Sequence, residues 1–309
     1  MPKLVNLGSL CIDLVFSVPN IAQEGETVAG SDMAEYPGGK GLNQSIAASM
    51  AGSSVSHYGA VGKDGAILLD ALSGAGVNTS HILRLPQNSG RAFIQVDGQG
   101  QNAIVIDGGA NRQIPITLVE EALSTLDAGD WLLLQNEIND LEQVIERADA
   151  LGAQIALNLA PIDYRISAYP YSLLDLLIVN KVEGQAVAGS TDEGVDLALN
   201  LVGKFPTTSI LLTDGRKGSY LLDVESDTLT TTGAFAVDVV DETAAGDAFV
   251  GYFMSGLVEQ KDKLLGLLDA TAAGAIAVSR NGAATSIPSR EDVVQLLKQQ
   301  KINQENQVR

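Results

Sequence analysis

The 309-residue sequence predicts an α/β fold, a doubly wound, mainly parallel central sheet flanked by helices, with a small separate β-sheet. Three observations carry this. From about residue 117 onward, short continuous apolar segments alternate with helical ones, the pattern of strands buried on both faces. Glycine-containing loops follow several of these strands, where such a sheet receives its ligand. Two β-rich stretches, residues 12–36 and 91–107, interrupt the alternation and form a second sheet apart from the main core.

Taken in order, Leu4–Ser9 is an apolar strand ending in turn chemistry, followed by extended segments at Leu14–Val18 and Thr27–Tyr36. Pro37-Gly-Gly-Lys-Gly41 breaks the pattern before a helix at Leu42–Ala51, rich in small residues suited to close packing. Ser56–Val61 is a strand, and Ala66–Gly74 a helix after the Asp64-Gly65 turn. Arg91–Val96 and Asn102–Asp107 form a hairpin around Asp97-Gly-Gln-Gly-Gln101. Helix Leu118–Leu126, strand Trp131–Gln135, helix Leu141–Leu151 and strand Gln154–Asn158 come next. Strand Leu176–Val179, helices Lys181–Ala188 and Asp192–Phe205, and strand Ser209–Thr213 continue the alternation. Gly218–Asp223 and Thr228–Thr232 are an antiparallel pair, and helices at Ala245–Glu259, Lys263–Ser279 and Glu291–Gln299 close the chain before a polar, frayed end at 301–309. With no linker or repeat, residues 1–309 are expected to form one domain.

Composition narrows the function. A formal charge of −19 excludes a general nucleic-acid binder and obliges any polyanionic ligand to be held by local amides, a few cations and Mg²⁺. Cys11 is the only cysteine, so there is no disulfide framework or thiolate cluster. The two histidines, His57 and His81, lack ligand spacing and are expected to be structural or surface residues. No apolar run is long enough to span a bilayer and no cleavage-site pattern follows Leu4–Val18, so a cytoplasmic location is expected, with no membrane partner.

The stretch Asp241-Glu-Thr-Ala-Ala-Gly-Asp247 is the most informative. Small residues open a buried helix, where free backbone N–H groups and the macrodipole attract anions. Asp247 in that first turn either stabilises the helix start or takes a proton from an alcohol attacking a phosphate. Pro37–Gln44 has neither Walker A nor dinucleotide spacing, but Lys40 and Asn43 make a hydroxyl-binding pair, one donating only, the other donating and accepting. Thr213-Asp-Gly-Arg-Lys-Gly218 is a loop at a strand end whose Arg216 and Lys217 either favour phosphates or are solvated charges. In Asn180-Lys-Val-Glu183, Asn180 reads as a helix N-cap and Glu183 shares its helix face, within reach of a hydrated Mg²⁺.

These segments, with Gly8–Asp13, Gly59–Gly65, Asn158–Pro161 and Arg280–Ser286, run in the order found in the phosphofructokinase-B type, or ribokinase, family of carbohydrate kinases, and the chain resembles that family over nearly its whole length. The resemblance implies ATP-dependent transfer of the γ-phosphoryl group to the hydroxymethyl group of a pentose, with D-ribose the first candidate. It makes Asp247 the general base and the amides of Ala244, Ala245 and Gly246 an anion hole. It places the sugar against residue 11, Asp13, Gly39, Lys40, Gly41, Asn43, Glu137 and Asp247. The nucleotide falls to Asn180, Thr213, Gly215, Gly218, Gly246 and Thr271, and Mg²⁺ to Glu183 through water. An activating K⁺ would use Asp241 and Ser286 with backbone oxygens of Thr243, Ala277, Arg280 and Gly282. The stretches 12–36 and 91–107 would be a lid that also joins two subunits.

Two departures bear on the sugar. Cys11 stands where the family pattern has an asparagine at the sugar, a loss of about 0.5–1.5 kcal/mol or the mark of a pentose with different hydroxyls. Glu242 stands where threonine is usual and adds charge beside the proposed cation site. The alternatives are a family kinase for 2-deoxyribose, a nucleoside or another furanose, and a non-catalytic sugar- or nucleotide-binding protein, against which the intact Asp247, Ala244–Gly246 and Glu183 speak.

Overall fold

The computed structural model describes residues 2–307, with side chains to Gln299. The first half contains β1 (Leu4–Leu7), β2 (Cys11–Ser17), β3 (Asp32–Gly38), α1 (Lys40–Ala51), β4 (Val55–Val61), α2 (Ala66–Gly74) and β5 (Asn78–Arg84). It continues with β6 (Gly90–Val96), β7 (Asn102–Asp107), α3 (Ile116–Ser124), β8 (Trp131–Gln135), α4 (Leu141–Ala150) and β9 (Gln154–Asn158). The second half holds β10 (Leu176–Asn180), α5 (Lys181–Ala188), α6 (Gly194–Lys204), β11 (Ser209–Thr213), β12 (Ser219–Asp223) and β13 (Thr228–Thr232). Helices α7 (Ala245–Val258), α8 (Lys263–Val278) and α9 (Arg290–Gln307) complete it.

The large sheet has the order β13-β12-β11-β10-β9-β8-β1-β4-β5. Every pairing from β11 to β5 is parallel, and only β12 and β13 run antiparallel at one edge. Apolar strands of this kind are stable only when both faces are covered. Leu133 of β8 points into a core shared with α1, α7 and α8, whereas its neighbours Leu132 and Leu134 enter a second core on the opposite face. The alternation of side chains along a strand thus supplies two cores from one sheet.

The second sheet has the order β3-β2-β6-β7, with β2 and β6 parallel and the outer pairs antiparallel. It is made from the two stretches that the sequence sets apart. Most elements begin or end within three residues of the positions expected, and three differences are larger. The stretch Thr27–Ser31 is irregular and β3 starts at Asp32, because Thr27, Ala29, Gly30 and Ser31 are exposed and give a strand little to bury. β5 is an additional strand, and α9 runs to Gln307 instead of stopping near Gln299. Of the expected frayed end at 301–309, residues 308–309 lie outside the described residues.

Candidate active site

The chain proceeds from β1 to β4 and β5 on one side, then crosses to β8, β9, β10 and β11 on the other. The strand order therefore reverses between β1 and β8, and the C-terminal ends of those strands open a crevice. The residues that follow them meet there: Ser9 Oγ, just after β1, donates to the Glu137 carboxylate, just after β8. Glu137 also accepts from the Lys40 amide at 3.1 Å, and Ser9 Oγ accepts from the Gly41 amide at 3.2 Å. The start of α1 is so tightly seated that a Cβ on Gly41 would lie 2.4 Å from the Ser9 nitrogen. Gly39 enters the helix at φ 94°, a conformation that favours glycine.

Helix α7 brings Asp247 to this helix. A Cβ on Gly251 would meet the Gln44 carbonyl at 2.6 Å, so α1 and α7 touch backbone to backbone one turn beyond Asp247. That contact lets Asn43 Nδ2 donate to Asp247 Oδ2 and Gln44 Nε2 donate to Oδ1, each at 2.9 Å. Asp247 is buried, and Asn43 Oδ1 is a buried acceptor with no partner among the described residues. Ala244 caps α7 in the left-handed region (φ 59°), where a non-glycine residue costs about 1–3 kcal/mol. Ala244, Gly246 and Asp247 at this helix start line a cavity of about 180 Å³ together with Lys40, Asn180, Glu183 and Thr213, while the Ala245 amide donates to the Glu242 carbonyl at 3.4 Å.

Charges surround this cavity. Burial pushes the Asp13 carboxyl up to about 7, helped by the nearby Glu137 and Asp247 and opposed by Lys40. Burial alone would lower Lys40, but Asp247, Glu137 and Glu183 outweigh it and raise the ammonium. Glu183 sits above the usual carboxylate range because it is buried, with the Asn180 backbone and Lys40 opposing. Asn180 caps α5 as expected: its side chain accepts from the Glu183 amide at 2.9 Å, and its own amide donates back to the carboxylate at 2.8 Å.

Cys11 lies in β2 with its thiol buried, accepting from Asn111 Nδ2 at 3.4 Å. Burial, then Glu137 and Asp13, push the thiol well above its ordinary value. Thr213 ends β11, and the loop after it turns back to β12 through Gly215 and Gly218, both at positive φ. A Cβ on Gly218 would fall 1.9 Å from the Thr232 carbonyl. Thr271, on α8, donates to the Leu267 carbonyl at 2.7 Å, so Thr232 is the donor in their 2.9 Å contact. Lys217 pairs with Glu193 at the surface, where both side chains stay exposed. His57 is buried and hydrogen-bonded to Ser45, while His81 pairs with Glu121 at the surface.

Behind α7, Asp241 Oδ1 accepts from Thr243 N–H (2.9 Å) and Oγ1–H (2.6 Å), and Oδ2 from Gly282 N–H (3.0 Å). Burial would raise this carboxyl, but these donors hold it below the usual range. The Asp241 amide bonds the Val278 carbonyl at 3.1 Å, so the segment is laced to the end of α8 and the loop carrying Arg280, Gly282 and Ser286. A carboxylate, a hydroxyl and several carbonyls are the all-oxygen chemistry that suits a hard cation.

The pfkB family of carbohydrate kinases matches residues 1–290. The chain belongs to that family. It is a phosphotransferase with an alcohol group as acceptor. The ribokinase of Haemophilus influenzae is 32% identical over 302 residues, covering 95% of this chain and 98% of that protein. The deoxyribokinase of Salmonella typhi is 31% identical over 297 residues, covering 92% of this chain and 95% of that protein. Arabidopsis thaliana ribokinase complexed with ribose and ATP superposes with a TM-score of 0.86 at 29% identity, covering 96% of this chain and 99% of that one.

The residues singled out from sequence around α1, α5 and α7 are gathered at this crevice. Ser9, Gln44, Asn111, Gln135 and Asn158 were not singled out, yet they hold the functional groups in place. Gln44 carried one sequence signal, a long polar side chain next to Asn43 just before the small and apolar run Ser45–Ala51.

Proposed function

We propose that the chain transfers the γ-phosphoryl group of ATP to the hydroxymethyl group of D-ribose, giving D-ribose 5-phosphate. The observation that carries this is Asp247, held by Asn43 and Gln44 at the edge of the cavity that the start of α7 lines, with the acids Asp13 and Glu137 close by. The relative solved with ribose and ATP supports the choice of both substrates.

The sugar lies over β2 and the start of α1. Asp13 and Glu137 accept from its hydroxyls, Asn43 Oδ1 takes another, and Gly39, Lys40, Gly41 and the Cys11 backbone shape the floor. Asp247 takes the proton of the hydroxymethyl group. The freed oxygen forms the new bond to the γ-phosphorus, the bond from phosphorus to the β-bridging oxygen breaks, and ADP leaves with that electron pair. Ala244, Ala245 and Gly246 amides bear the charge that spreads onto the transferred group's oxygens, a task of positioning and charge stabilisation. Lys40, raised by its acidic neighbours, stays cationic between the two substrates. Asn180, Thr213, Gly215, Gly218 and Thr271 hold the nucleotide on the β10–β11 side.

Glu183 retains free lone pairs beside its two Asn180 bonds and would position Mg²⁺ through water, which supplies charge neutralisation for the phosphates. Asp241 and Ser286, with carbonyls of Thr243, Ala277, Arg280 and Gly282, would hold K⁺ and so stiffen the turn that carries the anion hole. Residues 1–309 act as one cytoplasmic kinase domain. The β3-β2-β6-β7 sheet is its lid and, through the exposed Ile104, Val105 and Ile106 of edge strand β7, the contact of a homodimer.

A coupled ADP-release assay over D-ribose, 2-deoxyribose, hexoses and nucleosides tests this. The expected outcome is the highest kcat/KM on D-ribose, and ATP binding without phosphorylation of any sugar would sink it. A second reading, 2-deoxyribose, is favoured by Cys11, whose thiol is turned to Asn111 and offers a sugar hydroxyl little. It wins if 2-deoxyribose has the higher kcat/KM.

A further inference from the structure

Beneath Asp247 runs a chain of buried amides whose hydrogen-bond direction is fixed at both ends. The Gly41 carbonyl can only accept, so the Asn6 amide nitrogen faces it, at 2.9 Å. Asn6 Oδ1 must then point the other way, where it accepts from Gln135 Nε2 at 3.0 Å. The second hydrogen of that nitrogen goes to Gln44 Oε1 at 2.9 Å. This leaves Gln44 with both Nε2 hydrogens facing outward, one to Asn158 Oδ1 at 2.8 Å and one to Asp247 Oδ1 at 2.9 Å. From the far end, the Ile178 carbonyl accepts from Asn158 Nδ2 at 3.3 Å, which turns Asn158 Oδ1 toward Gln44. Asn6, Gln44 and Gln135 are wholly buried, so no solvent competes for these bonds. Room for the chain depends on Gly8, whose Cβ would fall 2.3 Å from Gln135 Oε1 and 2.8 Å from Asn6 Oδ1.

We infer that Gln44 is a positioning residue for phosphoryl transfer, presenting an N–H of fixed polarity to Asp247 Oδ1, with Gln135 and Asn6 acting through it. The inference rests on the reading of Asp247 as the base. Asn43 alone would leave the carboxylate free to rotate about its Oδ2 bond. Gln44 holds the second oxygen and fixes the carboxylate plane relative to the sugar hydroxyl. The charged groups that reach Asp247 from the neighbouring elements are Lys40 on α1, Asp13 on β2 and Glu183 on α5. None of them is altered by changing the amides.

The test is kcat and sugar KM for Gln44→Met, Gln135→Met and the double variant, with ATP binding measured on each to count folded sites. Gln44→Met is expected to lower kcat by at least about tenfold per folded site, with little change in sugar KM. Gln135→Met should lower kcat by less, again with KM little changed, and add nothing in the Gln44→Met background. An unchanged kcat in both single variants, or full additivity in the double, overturns the inference. If Gln44→Met does not fold, Gln135→Met decides by the same split of kcat against KM. Asp247→Asn run alongside separates the two readings: its inactivity beside an unchanged kcat in the amide variants refutes only the role of Gln44, whereas its full activity removes Asp247 as the base.

Discussion

Replacing Asp13 with asparagine should make the substrate-free protein more stable while destroying its use of sugar. Asp13 sits between strands β3 and β6, and a Cβ on Gly38, two residues along β3 from its cross-strand partner Tyr36, would fall 2.2 Å from the carboxylate. Glu137 and Asp247 lie close enough to raise it further. The move from 3.8 to about 7 corresponds to up to about 4 kcal/mol held against folding when the group is ionised. Because the folded protein binds this proton more tightly than the unfolded chain, the contribution is favourable only at low pH. It is lost progressively as pH rises from the unfolded value of 3.8 through the folded value of about 7. Urea unfolding of both proteins without ligand, from about pH 5 to about pH 8, measures it. Asp13→Asn should be more stable at about pH 8 by roughly 1–4 kcal/mol, and the gap should shrink by more than half at about pH 5. A variant no more stable than its parent at the higher pH would refute the reasoning, because the carboxylate would then be compensated in the free protein. The same substitution should raise the sugar KM while leaving ATP affinity intact.

Two further outcomes concern the rest of the assembly. Asp241→Ala removes the acceptor for Thr243 and Gly282, so stimulation of turnover by K⁺ over Na⁺ should fall to near unity, with ATP affinity changed by less than about threefold. Rate measurements in the two salts at equal ionic strength check this, and retained stimulation would move the cation elsewhere. Ile104→Lys with Ile106→Lys, on one face of edge strand β7, should convert a dimer to a monomer in sedimentation velocity without unfolding it, as charge on an edge blocks pairing.

Much of the fold was legible in the sequence. Strands β8, β9, β11 and β13 and helices α2 and α5 fall at the residues expected, because each is a clean apolar or amphipathic segment bounded by turn chemistry. β5 was missed because Asn78-Thr-Ser-His is polar, and the strand is an edge that pairs only with β4. At the site, residues whose chemistry is local were readable: the small-residue start of α7, the Asn180–Glu183 capping box, the glycines at the start of α1. The amide chain was not, since its members are brought together over 203 residues between Gln44 and Asp247 and 91 between Gln44 and Gln135. No local pattern encodes which way such an amide faces. The Gly41 and Ile178 carbonyls decide that, and only in the folded chain.

The central claim is that Asp247 takes the proton of the acceptor hydroxyl. The most direct measurement is single-turnover phosphoryl transfer from ATP to D-ribose by the Asp247→Asn variant, beside its equilibrium binding of ATP. Asparagine keeps the size of the side chain but cannot take the proton, so the rate should fall at least about 10²-fold with ATP affinity preserved. Transfer near the parent rate would contradict the account.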